Sequence, residues 1–145
     1  MMKNKSKLYI FLLAIAASVT FTGCDELFSM EYKIVGMWQV SHTYLNGESI
    51  DSSEYIGYSP GSCYYMYADH VMSVRALYNG EYRESTFGTY VLDQKAKTIE
   101  INYSLYGQRY HSVADIKRLT KKDFFIEFND EYGDHWRLEL FTRSN

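Results

Sequence analysis

The chain has little proline, little cysteine, no cluster of positive charge and, beyond its first two dozen residues, no long hydrophobic run. Each shortage excludes something. Pro60 stands alone, and no Pro- or Ser-rich linker divides the 145 residues into separate units. Two cysteines, Cys24 and Cys63, cannot build a disulfide framework. Lysine and arginine number 15 against 18 acids, and they are scattered apart from Lys117-Arg118 and Lys121-Lys122. Nucleic acid is therefore excluded as a partner, because phosphate neutralisation by clustered cations dominates that affinity. No Gly-x-Ser-x-Gly elbow, phosphate-binding glycine loop or His-Glu-x-x-His helix is present, so no familiar catalytic motif marks an enzyme. The reading is of a non-enzymatic protein without a cofactor or resident metal.

What is there begins at the N-terminus. Lys3, Lys5 and Lys7 precede an apolar stretch from Leu8 to Val19, the charge-then-apolar order of a secretory signal. The stretch to Gly23 falls short of the ~20 residues a membrane span needs. Phe21-Thr22-Gly23-Cys24 follows and resembles the lipobox of bacterial lipoproteins, with Phe21 and Thr22 standing where leucine and a smaller residue are common. The resemblance implies cleavage before Cys24, acylation of that cysteine and attachment to a membrane of the cell envelope, the outer membrane favoured over the inner. Cleavage would remove three lysines and no acid, leaving twelve cations against eighteen acids, a charge of −6. Residues 1–23 are thus expected to be a signal peptide, 24–34 a lipidated tether with a short helical turn, and 35–145 one domain.

From Gly36 onward β-branched and aromatic residues alternate with polar ones, and turn pairs recur every few residues. Strands are expected over Met37–Leu45, Cys63–Ala68, Val71–Tyr78, Glu81–Leu92 (bent at Gly88), Thr98–Leu105, Arg109–Leu119, Asp123–Phe128 and His135–Arg143. Asn46-Gly47 and Asn79-Gly80 are hairpin turns. Eight antiparallel strands in up-and-down order leave two edges, and closure into a barrel removes them. Strict alternation puts His42 and Tyr44 on the face of Trp38 and Val40, with Tyr64, Met66 and Ala68 inward on the second strand. Tyr65 and Tyr67 then look outward.

Gly36-Met37-Trp38, at the head of the first strand, matches the Gly-x-Trp signature of lipocalins, and residues 35–143 resemble the lipocalin-like domains of small bacterial lipoproteins. The resemblance implies an all-β, eight-stranded barrel whose Gly36 and Trp38 close one end, with Arg143, or else Arg137, packed on the tryptophan. It also implies a small apolar or amphipathic ligand in the open end, lined by His42, Tyr44, Tyr64, Met66 and Tyr103. The alternative is a protein-binding envelope lipoprotein, an inhibitor or a subunit of a surface complex, using outward tyrosines and the loop from Glu48 to Ser62. An interior without a cavity near the ~300 Å³ lower limit of typical ligand pockets favours that alternative.

Three lesser features complete the reading. Tyrosine is abundant, 15 in the chain with only Tyr9 in the signal, and suits both strand packing and contact surfaces. Cys63, left without a partner, is expected to be a buried, inert thiol. His42, His111 and His135 converging on zinc, or Asp130, Glu131 and Asp134 holding calcium, are conceivable sites that no regular spacing supports.

Overall fold

The computed structural model describes residues 30–51, 54–85 and 87–143. The expected signal peptide at residues 1–23, Cys24 and residues 25–29 of the expected tether lie outside the described residues. A helical turn at 30–34 leads into ten strands: β1 Gly36–Leu45, β2 Glu48–Ile50, β3 Cys63–Met66, β4 Val71–Tyr78, β5 Glu81–Glu84, β6 Gly88–Asp93, β7 Thr98–Leu105, β8 Gln108–Leu119, β9 Asp123–Asn129 and β10 His135–Thr142. Eight of them close an antiparallel barrel in the order β1-β3-β4-β6-β7-β8-β9-β10, and β10 pairs back onto β1 from Trp38↔Thr142 to Leu45↔Trp136. The expected all-β, eight-stranded barrel is the fold.

β2 and β5 are additions to that ring. β2 folds back along the far half of β1 after the Asn46-Gly47 turn, whose two residues both have positive φ (52° and 84°), the conformation a tight hairpin demands. β5 and β6 occupy one edge of β4, so the long strand expected from 81 to 92 is broken between Glu84 and Gly88. Ser85 fills the break by exchanging hydrogen bonds with the Val74 backbone, its N–H donating to the carbonyl and its Oγ accepting from the N–H, each 2.7 Å. Gly88 is needed there because a Cβ would lie 2.0 Å from the Asn102 carbonyl oxygen of β7. Strand closure at this corner depends on having no side chain.

The interior is aromatic and aliphatic. Ile99, Ile101, Tyr103 and Leu105 from β7, Phe124, Ile126 and Phe128 from β9, and Trp136, Leu138 and Leu140 from β10 all point inward and are buried, as alternation requires. At the floor, fully buried Trp38 packs on Phe124 with ring centroids 5.5 Å apart, and its indole N–H donates to the Ile34 carbonyl at 2.8 Å. The helical turn therefore supplies the partner expected of an arginine. Arg143 is exposed just past β10, and its backbone N–H, rather than its guanidinium, reaches the Met37 carbonyl at 3.3 Å. Arg137 lies on the outer wall, forked onto Glu139.

Alternation fails in β1, and the failure relocates two residues. The β1–β10 register slips between Val40 and His42, so Ser41 is an unpaired bulge residue. A one-residue slip exchanges the faces of everything that follows. His42 is accordingly outside, 56% exposed, with Nδ1 3.6 Å from Glu139. Tyr44 is only partly buried, and Thr43 takes the inward position with no exposed surface. The expectation that His42 and Tyr44 line the interior is corrected by this bulge. Ala68, expected inward on β3, is exposed in the following turn.

Candidate functional site

The connection between β2 and β3, part of the Glu48–Ser62 loop expected to serve a protein partner, folds into the mouth of the barrel. Tyr55 begins a tight turn: its carbonyl accepts from the N–H groups of Tyr58 (3.1 Å) and Ser59 (3.0 Å) and from Ser59 Oγ (2.6 Å). Gly61 N–H donates to the Val40 carbonyl and Val40 N–H to the Ser62 carbonyl, both at 2.8 Å. Ser62 Oγ accepts from Leu77 N–H of the neighbouring β4 at 3.0 Å. Thr43 Oγ1 donates to the Tyr58 carbonyl. Ser59 and Ser62 are buried because their hydroxyls satisfy this backbone, which would otherwise carry unpaired polar groups inside the protein.

Aromatic rings finish the plug. Tyr58 lies 4.9 Å from Trp136 and 5.3 Å from Phe128, and Tyr55 meets Trp136 edge-on at 5.2 Å. Tyr64 donates its hydroxyl to the Gly57 carbonyl at 2.6 Å, so that strand side chain and loop backbone are tied. Tyr103 stacks on Tyr110 at 5.1 Å, the rings within 10° of parallel. Its hydroxyl is the one buried side-chain polar atom among the described residues without a hydrogen-bond partner. Burial lifts the phenol pKa values of Tyr58, Tyr64 and Tyr110, and that of Tyr103 well above the ordinary range. Of the five residues expected to line an open end, Tyr64, Met66 and Tyr103 are in the packed interior, while His42 and Tyr44 are not among them. Sequence reasoning missed Tyr58 and Tyr110 as their companions; Tyr58 sits in an irregular segment where no periodicity betrays its direction.

One cleft is set beside this plug and a groove lies on the outer wall. β8 pairs with β9 only from Asp115 onward, so its first half stands away from the β9–β10 loop. The gap is a cleft of about 530 Å³ lined by Tyr58, Tyr110, Ser112, Asp130 and Tyr132. Asp130 organises its wall: one carboxylate oxygen accepts the N–H groups of Tyr132 and Asp134 (2.9 Å each), the other the indole N–H of Trp136 (2.9 Å). Burial alone would raise its pKa, but these donors outweigh that and hold it below the usual aspartate value. The second cleft is a groove of about 260 Å³ on the outer face of β3, β4 and β5, lined by Tyr65, Tyr67, Arg75, Glu84 and Phe87. Phe87 is 76% exposed with its ring 6.4 Å from that of Tyr67, and the Arg75 guanidinium lies 4.2 Å over the Tyr82 ring. Tyr65 and Tyr67 do face outward.

The conceivable metal sites are not assembled. Each histidine stands by its own glutamate: His42 by Glu139, His70 by Glu31 at 2.9 Å, His111 by Glu100 at 3.0 Å and His135 by Glu127 at 3.2 Å. Asp130 is occupied by its own loop, and Asp134 accepts from Asn46 at 3.0 Å. Among the described residues no three His, Cys, Asp or Glu side chains are grouped to hold a metal ion. Cys63 is buried, its thiol 3.8 Å from the Gly61 carbonyl. No described helix is long and apolar enough to cross a membrane, which leaves strands aside. No protein-family model matches this sequence, and comparison with curated proteins returns no match.

Proposed function

We propose that this chain is a lipid-anchored barrel of the bacterial cell envelope, lipocalin-like in build, that binds a protein partner through its outer wall. The observation that carries the reading is the filled interior: Trp38, Tyr64, Tyr90, Tyr103, Phe124 and Trp136 fill the barrel, and residues 54–62 plug its mouth. Function then belongs to the surface, where Tyr67, Tyr82 and Phe87 expose aromatic area beside Arg75 and Glu84. Rigid tyrosine rings beside an arginine are the composition of interface hot spots. Attachment through an acylated Cys24 rests on the lipobox resemblance alone. The test is cross-linking of the natively processed protein in intact cells. A specific cross-linked band lost in Tyr67→Ala/Phe87→Ala, with unchanged melting temperature, supports the reading; an undiminished band counts against it.

A small amphipathic ligand is the second reading, favoured by the rim cleft, whose volume lies within the ~300–1,000 Å³ of typical ligand pockets. Tyr58 and Tyr110 give it an aromatic floor, and Asp130 and Ser112 a polar wall. Mass spectrometry of small molecules that co-purify, repeated on Tyr110→Ala, separates the two readings.

A further inference from the structure

We propose that the floor of the barrel is a membrane-docking face that rests on anionic lipid headgroups. The inference builds on the lipid-anchored reading above and adds the orientation of the domain. Strand directions gather the helical turn at 30–34, the turns at 67–70, 94–97 and 120–122, and the end of β10 at the Trp38 end of the barrel. Those segments carry Lys33, Lys95, Lys97, Lys121, Lys122 and Arg143, none of which is ion-paired among the described residues. Arg118, beside them, is taken by Asp123 at 2.8 Å. The acids of this end are fewer than its cations: Glu31 stands by His70, Asp69 and Asp93 accept backbone N–H groups of their own turns, Asp123 pairs with Arg118, and Asp115 is exposed opposite Thr98. The opposite rim carries Glu48, Asp51, Glu54, Glu81, Glu131 and Asp134 against Arg83 and Arg109. A chain that is acidic overall is therefore polarised, with its positive end at the floor.

Two further observations specify a lipid surface. Tyr32 is 67% exposed and Val35 is also exposed, both lining a cleft of about 770 Å³ with Lys33, Ala68 and Lys121. The Lys121 ammonium sits 4.4 Å over the Tyr32 ring and 3.1 Å from its hydroxyl. Tyrosine and lysine side by side, with apolar stems and polar tips, suit the headgroup region. The described chain also begins at this end: Met30 is six residues from Cys24, a separation that no connection can stretch much beyond ~20 Å, so acylation of Cys24 would keep the floor near the membrane. Asp25 and Glu26 in that tether oppose the attraction in part. Each unpaired cation near an anionic surface contributes roughly fivefold in partitioning, over a range of ~10 Å at moderate salt.

The test footprints the natively processed full chain on vesicles of phosphatidylcholine alone and of phosphatidylcholine with phosphatidylglycerol, using a water-soluble amine reagent. Lys95, Lys97, Lys121 and Lys122 should lose reactivity severalfold on the anionic vesicles, and the loss should disappear at high salt. Lys117, paired with Glu127 on the outer wall, should react equally on both. Lys121→Glu/Lys122→Glu should abolish the lipid dependence without lowering the melting temperature. Equal floor reactivity on the two vesicles overturns the proposal. Intact mass of the same sample reports separately on Cys24: without an acyl chain the anchor reading falls, while the footprint still decides the floor.

Discussion

Gly57 and Gly47 offer a controlled measurement of the plug in the barrel mouth. Both lie in turns at nearly the same positive φ, 82° and 84°, so alanine meets the same backbone strain at each, ~1–2 kcal/mol. Their surroundings differ. A Cβ at Gly47 has nothing within 4 Å, whereas one at Gly57 lies 2.3 Å from the Tyr103 hydroxyl oxygen. That ring has no free direction of retreat, since Tyr110 is stacked on it and Tyr64 stands 6.3 Å away. Overpacking of this kind adds ~1–3 kcal/mol, so Gly57→Ala should cost ~2–5 kcal/mol in all against ~1–2 for Gly47→Ala. Tyr103→Phe removes both the obstacle and a buried hydroxyl without a partner, and alone it should be neutral or stabilising by up to ~1–3 kcal/mol. With the hydroxyl gone, the new methyl meets the Tyr103 Cζ position at 3.4 Å, an ordinary contact. The double variant should then recover ~1–3 kcal/mol relative to additivity. Urea unfolding followed by tryptophan fluorescence reads the series, because Trp136 packs on Tyr55 and Tyr58 of the plug. Equal costs for the two glycines, or strict additivity with Tyr103→Phe, would refute a loop seated on that hydroxyl.

Two further outcomes test the electrostatics. Asp130→Ala strips acceptors from two backbone N–H groups and the Trp136 indole, and should cost ~1–3 kcal/mol at neutral pH by chemical denaturation. Because Asp130 has a lowered folded-state pKa, its contribution is present above the unfolded aspartate value and fades as pH falls toward the folded one; the variant should show a flatter acid limb in melting temperature against pH. Tyr90, whose hydroxyl donates to the Tyr67 carbonyl, has its pKa pushed up to about 12 by burial, with Glu31 and Asp69 adding to it. Spectrophotometric titration should show Tyr64 and Tyr103 ionising only on unfolding, and stability should fall as pH rises from ~10 toward Tyr90's folded value.

The strands were legible where alternation was clean. Val71–Tyr78 and Thr98–Leu105 match their expected bounds, since each presents an unbroken apolar face and ends at a turn. Ring closure followed from strand number and the need to remove edges, and inward Trp38, Tyr64 and Tyr103 followed from period two. The bulge at Ser41 was not legible. Nothing near Ser41 announces an extra residue; the register that demands it is set by β10, a hundred positions away. The plug escaped for a related reason. Pro60-Gly61 reads as a turn, but the direction of Tyr55 and Tyr58 depends on Trp136 and Phe128 of the last two strands. Contacts of long sequence separation placed the tyrosines that matter most, and single-sequence pattern contains only short separations.

The same geometry bears on where a binding function belongs. An eight-stranded barrel is just wide enough either to be filled by its own side chains or to hold one small ligand. Side-chain size decides between these outcomes. Here the inward positions are mostly occupied by large side chains; Ala76, Gly88 and Ala114 are small, and all three are buried among them. Opening room inside would mean expelling residues 54–62, breaking the bonds that tie Tyr64 to Gly57, Thr43 to Tyr58 and Val40 to Ser62. Several such bonds at ~0.5–1.5 kcal/mol each, together with the buried rings of Tyr55 and Tyr58, set a cost that a small apolar molecule must exceed before it gains anything. A partner on the outer wall meets no such cost. Tyr67 and Phe87 are already exposed and already near one another, so association need only remove water from surface the fold leaves uncovered.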